Sequence, residues 1–542
     1  MKTTRKLQLA VDAIQNNRPE EAIAILQAVV AHMPDNQQAR WMLAQCLDAR
    51  NDVEGAQQEL VECLQHAADD LNLIDQVASY LLSHARPLKP ALDAYRSYLE
   101  RKPDAAGAVF NYAWYLGKDE QFEAAVEMYR RALELGIDSP EEAHLNIANL
   151  CMDRLGDDAA ARKHLLEAIE LRPGYFGAHY NLGNLAEQDG DRAGAEAHFE
   201  ICLEADPANE TALARLGDVH RFTMADDPLL EWMAETGQSS RNSDLHFALG
   251  RAYDSLSEFE KAWQHMSRAN ELDREEQPHY DADASRDRIE RIISRCSADW
   301  LARSGGDSHQ PVFICGMFRT GSTLVEQMLA AHPAFSAGGE QEFFPRLVAR
   351  NLPRYPEGLD AITAEQISEW REQHEALSQR LAGTARMTDK RPDNFLYIGL
   401  IKAILPSAQF VVTERDWRDA AVSIFGTRLG PSQSYATRLE DIRDYLGLQR
   451  RLIDHWASLL GGDLFRVRYE NLVMQPRETL EGLLRALGEE WDERCLSFDS
   501  LDNKVRTASA WQVRQPLHPK SIGRWRNYRR PFEEAFGSDL ET

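Results

Sequence analysis

Residues 311–333 read Pro-Val-Phe-Ile-Cys-Gly-Met-Phe-Arg-Thr-Gly-Ser-Thr-Leu-Val-Glu-Gln-Met-Leu-Ala-Ala-His-Pro. An apolar run of strand character ends at Gly316, a glycine-bracketed turn follows, and an amphipathic helix begins near Ser322. Gly316 to Thr323 has the phosphate-loop form G-x-x-x-x-G-x-[ST], but Ser322 stands where an ATP- or GTP-binding loop carries Lys. The backbone can still hold an anion, because the turn aims N–H groups at it and the new helix adds its positive end. The cation that reaches the outer phosphates of a nucleoside triphosphate is missing. The expected ligand is therefore a phosphate of a different nucleotide, with Arg319 supplying the charge.

On either side of residue 300 the chain has different character. Upstream, alanines recur in matching contexts at Ala22, Ala56, Ala91, Ala125, Ala161 and Ala195, at spacings of 34, 35, 34, 36 and 34. Twelve residues after each comes a helix-ending position, occupied by Pro34, Ala68, Pro103, Ile137, Pro173 and Pro207. Small residues suit close helix crossings and Pro ends the second helix of each unit. This helix–turn–helix period resembles the tetratricopeptide repeat. About seven units are expected over residues 1–275, with a degenerate stretch near 220–243 and a further unit from Leu245 through Ala262. Such an array implies either a surface for a peptide or protein partner, or a scaffold that packs on the catalytic half or on another copy as a homo-oligomer.

Downstream, a helical linker is expected over 276–308 and a second domain over 309–542. Short β-rich runs at Val312–Cys315, Phe410–Thr413 and Leu464–Tyr469 alternate with helical stretches such as Ala364–Leu381 and Asp441–Leu460. Alternation predicts a parallel sheet with helices on its faces and ligands at the carboxyl ends of its strands.

Further chemistry sits in four segments. Gly338-Gly-Glu-Gln-Glu brings two carboxylates, Glu340 and Glu342, close to the loop, and spacing alone does not choose between them as a proton acceptor. Lys390 lies between Asp389 and Asp393, either of which could pair with it. Arg415, at a strand end, and Ser423, on the next helix, could grip one phosphate from two sides. Finally, Lys504 to Arg530 holds eight Lys or Arg and no Asp or Glu, in a chain of net charge −26. That stretch reads either as an anion clamp or as a basic docking face for the acidic repeats.

With these residues in place, 311–530 resembles a sulfotransferase that uses 3′-phosphoadenosine 5′-phosphosulfate (PAPS). The whole chain resembles bacterial fusions of tetratricopeptide repeats with a sulfotransferase domain, whose catalytic half is similar to tyrosylprotein sulfotransferases. The family's 5′-phosphosulfate loop, G-x-P-R-S-G-T-T-L, is matched by Gly316-Met-Phe-Arg-Thr-Gly-Ser-Thr-Leu324, with Phe318 for Pro and Thr320 for Ser. The resemblance implies an all-α repeat solenoid followed by an α/β phosphate-loop domain with a parallel central sheet. It implies that Arg319, Thr320, Gly321, Ser322 and Thr323 hold the 5′-phosphate and sulfuryl group, and that Arg415, Ser423 and Arg524 hold the 3′-phosphate. It places Tyr469 near the adenine nucleotide, Glu340 as catalytic base, and Lys390 and Ser509 at the bridging oxygen.

The implied acceptor is tyrosine in a polypeptide bound through the repeats. The alternative is a small molecule or glycan, with the repeats used for assembly. A phosphate-loop kinase is disfavoured by Ser322, and a non-catalytic scaffold by the joint presence of Arg319, Glu340, Lys390, Arg415 and Ser423.

The seven cysteines are scattered without a CxxC pair, and no HExxH or DxDxD motif occurs, so neither disulfides nor a metal are expected. The N-terminus reaches Asp12 before any signal-peptide core develops, and no apolar run is long enough to span a membrane. Golgi members of the family carry an anchor and disulfides, and neither is evident here, so a cytoplasmic protein is expected. The acidic balance argues against nucleic acid as a partner.

Overall fold

The computed structural model describes residues 2–67, 69–301, 309–501, 511–537 and 540. The chain forms two compact units, Met1–Leu182 and Gly183–Thr542.

The first unit has helices and no strand among its described residues. Helices pair as the alanine period requires, for example Phe122–Glu134 after Ala106–Lys118 and Asp158–Leu171 after Pro140–Leu150. Ala22, Ala91, Ala125 and Ala161 have no exposed surface. A methyl group is what a crossing this close accommodates, and a larger side chain would force the pair apart. Pairs end before the expected positions: Val30 before Pro34, Arg101 before Pro103, Leu171 before Pro173. Ala68 lies outside the described residues.

The second unit begins with further helices of the same kind, among them Arg192–Ala205, Ser243–Ser255 and Phe259–Glu276. The stretch without repeat pattern contains the helix Pro228–Gly237. The expected linker forms the helices Ala282–Arg295 and Ala298–Leu301. By packing, the repeats from Gly183 onward group with the sheet rather than with the earlier repeats. Polar contacts tie them there: Asn270 Nδ2 donates to Phe425 O at 2.8 Å, and Arg274 Nη1 to Thr437 O at 2.7 Å.

The sheet has five parallel strands, β1 (Val312–Gly316), β2 (Phe335–Ala337), β3 (Arg386–Lys390), β4 (Gln409–Glu414) and β5 (Leu464–Arg468), in the order β2-β3-β1-β4-β5. β1 is buried along its whole length, which suits a continuous apolar run flanked by helices on both faces. The strands expected at 312, 410 and 464 are present, and β2 and β3 are additional. The third expected strand is one residue shorter, because Tyr469 opens the helix Tyr469–Met474 instead. The chain leaves β1 toward β2 on one side and leaves β4 toward β5 on the other, so a crevice opens between the carboxyl ends of β1 and β4.

Candidate functional site

That crevice is a cleft of about 290 Å³ lined by Arg319, Gly321, Ser322, Thr323, Glu340, Lys390, Arg415, Ser423, Tyr469 and Arg524, among others. Residues spread over two hundred positions of sequence therefore converge on one space. Ser509 lies outside the described residues.

The loop after β1 depends on two glycines. Gly316 has φ +143°, and a Cβ there would stand 2.5 Å from Thr413 O on β4. Gly321 has φ +98°, and its Cβ would stand 2.8 Å from the Tyr469 ring. Only glycine allows the loop to lie against both neighbours. Gly321 caps the helix Ser322–Ala330 with no side-chain hydrogen bond to its first turn. A helix start without a capping side chain, facing a cleft, is suited to an anion. The Thr320 hydroxyl turns away from this space, donating to Met317 O at 2.6 Å and lying 2.8 Å from Thr413 Oγ1. Thr320 thus braces the loop with its side chain, leaving its backbone as the part that can meet an anion.

Arg319 sits in the left-handed region at φ +65°, a conformation that costs an ordinary residue roughly 1–2 kcal/mol. In return its guanidinium reaches across the crevice: Nε donates to Ser423 Oγ at 3.0 Å and Nη2 to Gln512 Oε1 at 3.1 Å. Arg415, leaving β4, donates from Nη1 to Arg319 O at 3.0 Å and from Nη2 to Ser521 O at 2.5 Å. Its plane lies over the Tyr469 ring, 4.6 Å from the centroid, and its buried Nε has no hydrogen-bond partner among the described residues.

Arg524 completes the group. Asp419, buried on the helix Trp417–Phe425, accepts from Gly523 N at 2.6 Å and Trp525 N at 2.9 Å and so fixes the turn that presents it. Arg524 also pairs with Asp254 at 2.7 Å. Arg524 of the basic stretch thus both lines the cleft and contacts a repeat helix. Burial, followed by repulsion from Arg415, Arg524 and Arg251, lowers Arg319 to about 10. Half-buried like charges crowded together in this way suit an anion.

Opposite stands a carboxylate. The turn after β2 continues its pairing with β3: Gly338 N donates to Thr388 O and Lys390 N to Gly339 O, each at 2.9 Å. This ladder sets Glu340 beside the end of β3, where it forms an ion pair with Lys390. Lys390 is buried and Glu340 is about a third exposed toward the cleft. Neither Asp389 nor Asp393 is the partner of Lys390; Asp393 pairs with Arg391 at 2.7 Å. Glu342 also pairs with Arg391, which holds it off the cleft wall.

Sequence reasoning missed the support behind this pair. Glu326, buried on the helix after the loop, accepts from Gly339 N at 3.0 Å and Thr388 Oγ1 at 3.1 Å. Burial raises its carboxyl to about 7, with Lys390 opposing the rise. It pins the Glu340 turn to both the anion loop and β3. Its signal in the sequence is a charged residue among the apolar Leu324, Val325, Met328 and Leu329. Arg428 also lines the cleft and was not singled out from sequence, whereas Gln512, His518 and Ser521, also on the cleft wall, lie in the 504–530 stretch read as an anion clamp.

Comparison with known proteins follows this division of labour. Residues 311–493 match the profile of the Sulfotransferase family, and 13–77, 90–140, 113–176 and 176–209 match profiles of the Tetratricopeptide repeat. The chain is a tetratricopeptide repeat–sulfotransferase fusion. The fusion is 28% identical over 390 residues to an uncharacterized protein of Aquifex aeolicus, covering 67% of this chain and 50% of that one. It is 25% identical over 233 residues to protein-tyrosine sulfotransferase 1 of Danio rerio, covering 40% of this chain and 65% of that protein. The fusion thus spans one half to two-thirds of the length of these curated relatives. Among solved structures it is similar to a sulfotransferase domain from the Synechococcus PCC 7002 olefin synthase, at 21% identity and a TM-score of 0.33, covering 43% of this chain and 96% of that one. No described helix of the fusion is long and apolar enough to cross a membrane.

Proposed function

We propose that this fusion transfers a sulfuryl group from PAPS to an acceptor hydroxyl, with tyrosine in a polypeptide as the acceptor class. The observation that carries the reading is the convergence of Arg319, Arg415, Ser423 and Arg524 on one cleft beside an uncapped helix start, with Glu340 and Lys390 in the same cleft. The donor has two anionic ends, and the cleft offers two matching sets of groups. Gly321, Ser322 and Thr323 present backbone N–H groups suited to the 5′-phosphosulfate end. Arg415, Ser423 and Arg524 suit the 3′-phosphate, with Tyr469 beside them for the nucleotide.

Two features of the protein fit such a ligand: the Arg415 Nε left without a partner among the described residues, and the glycine cradle that a Cβ would fill. The donor supplies an activated sulfur with a phosphate leaving group. In the reaction the acceptor oxygen–sulfur bond forms as the sulfur–phosphate oxygen bond breaks in line, and 3′-phosphoadenosine 5′-phosphate departs. Glu340 takes the acceptor proton. Arg319 and Lys390 stabilise the charge that grows on the leaving oxygen, with Ser509 assigned to the same oxygen from the resemblance. Lys390, already paired with Glu340, is placed to orient that carboxylate.

The polypeptide acceptor rests on the names of the distant relatives and on the repeats, which provide a second cleft within the first unit lined by Trp41, Asp75, Tyr80, Phe110, Asn111 and Trp114. Transfer from radiolabelled PAPS decides between acceptors. Label is expected in tyrosine-containing polypeptides. Label confined to free phenols or glycans would overturn the polypeptide assignment while leaving the sulfuryl-transfer reading intact.

A further inference from the structure

We propose that His144, His164 and Glu167 form a site for a divalent metal ion of the zinc class within the repeat array, with one coordination position left to water. His144 lies on the helix Pro140–Leu150, and His164 and Glu167 lie one turn apart on the helix Asp158–Leu171. Their donor atoms meet at one point. His144 Nδ1 is 2.9 Å from His164 Nδ1, and Glu167 Oε2 is 3.0 Å and 3.1 Å from the two nitrogens.

Two imidazole nitrogens and a carboxylate oxygen, all metal-ligating atoms, meet at this point. An imidazole nitrogen carries either a proton or a lone pair, so hydrogen bonds can join at most two of the three contacts. A cation at their centre would satisfy all three atoms at once. Zinc bonds to His nitrogen and carboxylate oxygen at about 2.0–2.2 Å in a tetrahedron, which requires donor atoms about 3.3 Å apart. The observed triangle needs to open by only a few tenths of an ångström.

Charge and exposure are consistent with such a site. The two imidazoles are largely buried, and Glu167 is about a third exposed, which leaves an approach for the ion and a place for water. Two cations lie near. Lys163 Nζ is 3.9 Å from Glu167 Oε1, and Arg130, on the helix Phe122–Glu134, acts on His164. Lys163 is exposed and can swing away.

The array also holds a built-in comparison. His246 Nδ1 and His265 Nδ1 stand 3.0 Å apart on the helices Ser243–Ser255 and Phe259–Glu276. Three residues beyond His265, where Glu167 stands relative to His164, the chain has Arg268. The carboxylate therefore distinguishes the first pair from a plain histidine contact. The sequence shows no metal motif because the ligands are split between two helices.

The test uses the full chain, stripped with chelator and dialysed. Calorimetric titration with Zn²⁺ is expected to show one ion bound per chain, and Co²⁺ to give the intense visible absorption of a tetrahedral site. Glu167→Gln and His164→Ala should each weaken binding at least about tenfold, whereas His246→Ala should leave it unchanged. Circular dichroism checks folding, and Glu167→Gln, at a partly exposed position, decides the matter if His164→Ala fails to fold. Absence of stoichiometric Zn²⁺ binding, or binding that survives Glu167→Gln undiminished, would overturn the proposal.

Discussion

Replacing Glu340 with Gln is expected to lower the rate of sulfuryl transfer by about 10²- to 10⁴-fold, while affinity for 3′-phosphoadenosine 5′-phosphate stays within a few-fold of wild type. The amide keeps an oxygen that can accept from Lys390, so the buried ammonium retains a partner. It cannot take a proton from an incoming hydroxyl. Removing one member of a fully buried ion pair costs about 3–5 kcal/mol, but Glu340 is a third exposed, so water screens the loss and the fold should persist. Initial rates and equilibrium binding measured on the same preparation separate the outcomes. If binding falls in parallel with rate, Glu340 shapes the cleft and another group takes the proton.

Arg319→Met should act in the opposite sense on binding and stability. In the ligand-free protein the guanidinium is desolvated and repelled by Arg415, Arg524 and Arg251. A methionine of similar length removes both penalties, so the melting temperature of the free protein should hold or rise. Affinity for the bisphosphate should fall by about two orders of magnitude, in line with the roughly 2–5 kcal/mol lost when one partner of a buried charge pair is truncated. Melting curves with and without nucleotide report both quantities. A variant that melts well below wild type without nucleotide would mean that the bonds to Ser423 and Gln512 stabilise the fold more than the repulsion weakens it.

What the sequence made legible follows from how each feature is encoded. β1 and β4 are apolar runs and read directly. β3 does not, because it ends in Thr388, Asp389 and Lys390, all buried; polar residues inside a sheet give no hydrophobic signal. β2 has only three residues, too few for a period. The repeat period was visible because each close crossing needs a small residue at a fixed place. The grouping of residues 183–275 with the sheet was not visible, since single polar contacts such as Arg524 with Asp254 have no pattern.

At the cleft, the loop 316–323 was readable as an anion site because local glycines and a helix start build it. The partners of its charges were not. Arg319 meets Ser423 across 104 residues of sequence, and Glu340 meets Lys390 across 50. Only the strand order brings them together. Glu326 was passed over as part of an amphipathic helix, although a carboxylate on the buried face of that helix is the kind of local inconsistency that marks a site.

The central claim is that this cleft holds the donor nucleotide of a sulfotransferase rather than a nucleoside triphosphate. Thermal shift with 3′-phosphoadenosine 5′-phosphate, set against ATP with Mg²⁺, tests it most directly. A clear rise in melting temperature with the bisphosphate, little or none with ATP and Mg²⁺, and loss of the rise in Arg415→Ala are predicted. Stabilisation by ATP and Mg²⁺ and not by the bisphosphate would contradict the account.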